Sequence, residues 1–93
     1  MGPELTSFQI ECEKGISASL ERLGKHVADR RIEGVSETYV TGTIKDSDIT
    51  FWIYADGADF RAPGEHRVFE RPDYESVVDL GNAFIEALLK AAK

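Results

Sequence analysis

A chain of 93 residues has room for one domain and one modest core. Hydrophobic residues make up 42% and charged residues 30%, the balance of an ordinary globular protein and too apolar for intrinsic disorder. Eleven basic against seventeen acidic side chains leave a net charge of −6, which a phosphate backbone repels, so nucleic acid is excluded as a partner and a basic protein is favoured.

The single cysteine, Cys12, rules out an internal disulfide and any zinc site with two thiolates from one chain. No basic segment followed by an apolar run marks a secretory signal, and no apolar stretch is long enough to cross a bilayer. A cytoplasmic protein with no membrane partner is the resulting expectation.

In chain order, Thr6 and Gln9 have the spacing of a capping box, with Leu5 and Ile10 placed as a hydrophobic staple. Both signals predict a helix start at Ser7. Phe8, Cys12, Ile16, Leu20, Leu23 and Val27 then follow at steps of three and four and predict a helix to about Arg31. A second reading takes Phe8, Ile10 and Cys12 as an alternating strand, with the helix starting near Lys14.

After Gly34 the apolar period shortens to two. Thr38–Lys45 and Ile49–Ala55 read as strands joined by the polar turn Asp46-Ser47-Asp48. Asp56-Gly57 and Pro63-Gly64 mark two more turns, around short strands at Asp59–Ala62 and His66–Glu70. A closing helix is expected from about Tyr74 to Ala92, capped by Asp73, with an apolar stripe through Val77, Leu80, Phe84, Ile85 and Leu88. The expected fold is therefore α+β: a four-stranded antiparallel meander with the N-terminal and C-terminal helices packed on one face, in the order α-β-β-β-β-α. Val40, Ile44, Ile49, Phe51 and Ile53 would face the helices. Tyr39, Thr41, Thr43, Thr50, Trp52 and Tyr54 would form an open face.

Few residues suggest catalysis. His26 sits among Arg22, Lys25, Arg30 and Arg31 on the first predicted helix, a solvated basic face. His66 and Glu65 are adjacent, so a strand would point them to opposite faces. Cys12 falls on an apolar stripe, with nothing in sequence to lower its pKa. Asp46, Asp48, Asp56 and Asp59 lack the ligand spacing of a calcium loop, and the glycines form no phosphate-binding loop. No enzyme activity, metal or cofactor is expected.

The charge is distributed unevenly. Residues 1–31 carry five basic and five acidic side chains, and the remainder carries six and twelve. The excess lies in turns and strand ends, at Asp46, Asp48, Asp56, Asp59, Glu65 and Glu70, positions suited to steering a cationic partner. Trp52 and Tyr54 on an open sheet face are the residue types that anchor interfaces. These eight residues are the candidate partner-binding set.

Ile49–Phe60, with Trp52 and Gly57 separated by four residues, then Glu65-His66 and the apolar helix of Leu80, Phe84, Ile85 and Leu88, resembles the small immunity proteins of bacterial polymorphic toxin systems, in particular the TriTu-type group. The resemblance implies a helix, an antiparallel sheet with a tryptophan-to-glycine strand-turn, and a closing helix. It also implies a function: stoichiometric binding and inhibition of a cognate toxin domain. Two other classes fit the same composition, an adaptor or regulatory inhibitor from a mobile element and a structural domain that forms a homodimer or larger homo-oligomer through its open sheet.

Overall fold

Thr6 opens the first helix as its spacing to Gln9 predicts. Its hydroxyl accepts from the Gln9 N–H at 3.3 Å, and the Gln9 side-chain oxygen accepts from the Thr6 N–H at 2.7 Å. Each half of the box satisfies a donor that the first helical turn would leave free. In the computed structural model, which describes residues 4–93, helix α1 spans Ser7–Arg22. Leu5 packs against the core, whereas Ile10, the other expected half of the staple, is 42% exposed.

The predicted continuation of this helix to Arg31 does not form, and neither does the alternative strand at Phe8–Cys12. The stop signal is Gly24, whose φ of +72° is a conformation that costs glycine nothing. The N–H of Lys25 donates to the Leu20 carbonyl at 2.9 Å and that of Gly24 to the Glu21 carbonyl at 3.0 Å. This paired arrangement satisfies the last carbonyls and turns the chain out of the helix. Val27, which continued the helical spacing, instead begins a strand.

That strand, β1 (Val27–Glu33), makes the sheet five-stranded where four strands were expected. It escapes a search for alternation because its register slips between Ala28 and Arg31. Asp29 and Arg30 together stand opposite a single residue of the next strand, and Asp29 takes a φ of 51°. The bulge leaves Arg30 in a two-pronged pair with Glu13 of α1, at 2.7 and 2.8 Å, which ties the edge strand to the helix.

The next four strands follow the expected turns: β2 (Tyr39–Ile44), β3 (Ile49–Ile53), β4 (Ala58–Ala62) and β5 (Glu65–Phe69). All neighbours are antiparallel and the spatial order is β1-β2-β3-β4-β5. The described residues thus form an α+β fold of two helices and an antiparallel meander. Alternation along β2 and β3 sends Val40, Ile44, Ile49, Phe51 and Ile53 into the core with Ile16, Leu20, Leu80, Phe84 and Leu88. Gly42 lies on the same face beneath the Phe51 ring. A methyl group there would stand 2.7 Å from Phe51 Cζ and 2.9 Å from Val27 Cγ1, so this position admits no larger residue without repacking.

The closing helix, α2 (Val77–Ala92), starts three residues later than Tyr74, and its cap is Ser76 rather than Asp73. Ser76 accepts from the Asp79 N–H at 3.2 Å. Arg71–Asp73 instead form one 3₁₀ turn, and Arg71 donates to the carbonyls of Tyr74 (2.6 Å) and Glu75 (3.2 Å). These bonds hold Tyr74 extended, with φ −132°, and delay the helix to the next capping residue. Among the described residues, no helix is long and apolar enough to cross a membrane.

Cys12 lies in the core at 3% exposure, and burial, followed by the charge of Glu11, pushes its thiol up to about 12. Because the folded value exceeds that of the unfolded chain, the contribution of this group is complete below about pH 9 and is lost as pH rises towards 12. Iodoacetamide at pH 8 is expected to label the native protein at least about a hundredfold more slowly than the urea-unfolded chain, as followed by intact mass. Equal rates would place the thiol at the surface.

Candidate functional site

The face of the sheet away from the helices carries a row set by strand register: Thr41 on β2, Trp52 on β3, Asp59 on β4 and Val68 on β5. Trp52 and Asp59 are directly paired across strands, as are Asp59 and Val68. Tyr54 follows β3, and its ring lies 5.5 Å from that of Tyr39 at a 50° tilt. Its backbone N–H donates to the Gly57 carbonyl at 2.8 Å, which closes the turn holding Asp56.

Asp59 is the centre of this surface. One carboxylate oxygen meets His66 Nε2 at 3.0 Å. The other is buried and, among the described residues, has no hydrogen-bond partner. Burial raises the Tyr54 hydroxyl pKa above its ordinary value, and the Asp59 carboxylate raises it further, so Tyr54 stays a neutral phenol. Beside them opens a depression of about 500 Å³, lined by Glu37, Tyr54, Asp56, Asp59, Val68 and Glu70 among others. Arg71 also borders it, but its guanidinium is engaged with the Tyr74 and Glu75 carbonyls.

The eight residues predicted from sequence divide between the two ends of the sheet. Tyr54, Asp56, Asp59 and Glu70 meet at the depression, and Trp52 lies next to Asp59 on the same face. Asp46 and Asp48 occupy the β2–β3 turn, and Glu65 begins β5. These three stand at the opposite end, one strand length or roughly 16 Å away. The acidic turns therefore form two separate surfaces, because consecutive turns of a meander alternate between its ends.

Glu37, Tyr39, His66 and Val68 were not in the predicted set. Val68 and His66 could have been placed by register: the two-residue Pro63-Gly64 loop pairs Ala62 with Glu65, which puts Val68 opposite Asp59. His66 then neighbours Asp59 instead of Glu65. Glu37 sits in the irregular β1–β2 connection, where no periodic signal exists.

The arrangement supplies hydrogen-bond acceptors and aromatic faces. A guanidinium or ammonium group can make both kinds of contact at once, donating to the carboxylates and lying against a tyrosine ring. Among the described residues, no three His, Cys, Asp or Glu side chains are grouped so as to hold a metal ion. No family model, curated protein or solved structure matches the chain.

Proposed function

We propose that this protein is a stoichiometric inhibitor of the immunity type, which binds a basic bacterial toxin domain through the acidic end of its open sheet face. One observation carries the reading: Glu37, Asp56, Asp59 and Glu70 converge around Tyr54 and Val68. Carboxylates around apolar and aromatic contacts are what a lysine- or arginine-bearing partner surface requires, with the charges steering approach and the rings supplying buried area. Toxins that act on nucleic acid carry such basic surfaces, and an acidic inhibitor occupies them without any catalysis of its own.

The test begins with affinity capture of the tagged chain from its native cells at low and moderate salt. Association is then measured with the recovered partner. Asp56→Lys with Glu70→Lys is expected to slow association about tenfold and flatten its salt dependence. Trp52→Ala is expected chiefly to speed dissociation. Asp46→Lys with Asp48→Lys, at the far end of the sheet, serves as the control and should change the rate less than threefold. The reverse pattern would move the interface to the β2–β3 turn.

A further inference from the structure

The two edges of the sheet are not alike. The outer edge of β1 is broken by the bulge at Asp29 and Arg30, a common protection against strand addition. β5 has no bulge. It contains no proline and no residue of positive φ, its register with β4 is unbroken over five pairs, and four of its five residues are exposed. A regular unpaired edge of this kind is a template for a further strand.

The chemistry of β5 narrows what that strand is. The Pro63-Gly64 loop closes on the Ala62–Glu65 pair, so Glu65, Arg67 and Phe69 direct their backbone groups towards β4. His66 and Val68 then direct theirs outwards. For two antiparallel copies of β5 to bond, an outward residue must meet an outward residue. A twofold axis at His66 satisfies this and sets Glu65 of each copy directly opposite Arg67 of the other, giving two opposite-charge pairs. Shifting the axis to Arg67 would oppose two arginines. Of these two registers, only the one centred on His66 is complementary in charge.

The surroundings agree. Glu65 and Arg67 border a groove of about 390 Å³ whose other wall is α2, through Ala83, Glu86, Ala87, Lys90 and Ala91. The three alanines add little bulk to that wall, which leaves room for the side chains of a second strand. We infer that the protein forms a homodimer by antiparallel pairing of β5 with β5 of a second copy about His66, creating a continuous ten-stranded sheet. The pairing uses the strand that also carries His66 and Val68 of the open-face site, and it leaves both open faces on one side of the dimer.

Sedimentation equilibrium of the full chain from 1 to 500 µM tests this. The wild type is expected to pass from the monomer mass of 10.3 kDa towards twice that value. Arg67→Glu places like charges opposite each other at both pairs and should raise the dimer dissociation constant about tenfold or more. The double exchange Glu65→Arg with Arg67→Glu restores opposite charges and should return the constant to within about threefold of wild type. Thermal unfolding of each variant confirms that the monomer remains folded. A wild type that stays monomeric at 500 µM overturns the inference and leaves the edge to a strand of another protein. A dimer that Arg67→Glu does not weaken, or that the double exchange does not restore, also overturns it and moves the contact elsewhere.

Discussion

Phe84→Ala is expected to lower the unfolding free energy by about 3–5 kcal/mol. Phe84 is fully buried on α2, and its ring stands 6.4 Å from that of Phe60 and meets that of Phe69 edge-on at 5.6 Å. Tyr74 extends the same cluster, at 6.5 Å from Phe69. The cluster joins the closing helix to β4 and β5, so truncation removes the contacts that hold those elements together and leaves a cavity with rigid walls. Domains of this size have a total stability of roughly 5–15 kcal/mol, so the loss is a large fraction of the whole. Thermal unfolding followed by circular dichroism should show a midpoint lowered by about 15–30 °C. Val68→Ala, on the open face and 54% exposed in the wild type, should change stability by less than about 1 kcal/mol. Equal effects at the two sites would contradict the assignment of faces.

The second large effect is expected at Gln9, which is 1% exposed. Its side chain does more than complete the cap on Thr6. The amide nitrogen donates to the carbonyls of Thr38 (2.8 Å) and Ile53 (3.1 Å), at the end of the sheet where β2 begins and β3 finishes. One side chain thereby satisfies a helix N-terminus and two strand ends. Gln9→Leu keeps the volume but removes three bonds and strands two carbonyls, at a net cost of about 2–4 kcal/mol by urea denaturation. Gln9→Glu separates the roles. It keeps an acceptor for the Thr6 N–H but turns a charge towards two carbonyls, which raises the carboxyl pKa in the folded state. Its stability relative to wild type should therefore be greatest near pH 4 and fall as pH rises towards 7. A flat profile would mean that Gln9 acts only as a cap.

The two Gln9 bonds also show where sequence reasoning stops. The Thr6-to-Gln9 spacing announces the capping box because both partners lie within one helical turn. Nothing near Gln9 announces Thr38 or Ile53, which are 29 and 44 residues away. The same division runs through the candidate site. Trp52, Tyr54 and the acidic turn at Asp56 were legible as residue types on an alternating strand. That Asp59 pairs with Trp52 and Val68, takes His66 as its partner and shares a depression with Glu37 depends on register across three strands.

The errors have local causes. The helical spacing of Leu23 and Val27 is real, but Gly24 between them takes a conformation that ends the helix, and a two-carbonyl cap outweighs the continued periodicity. β1 stayed hidden because its bulge breaks the two-residue period and because Asp29, Arg30 and Arg31 make it polar. Asp73 has a capping side chain, but Arg71 holds the following backbone extended, and Ser76 takes the role.

By itself the sequence determined the α+β class, the two amphipathic helices, the four turn-bounded strands and the separation of the sheet into an apolar and an aromatic face. Those features rest on periods and turn residues that act within a few positions. Tertiary structure decided the fifth strand, the unequal protection of the two sheet edges and the division of the acidic turns between opposite ends. Each of these depends on which strand lies beside which and in what register, and that is fixed only when the whole core packs.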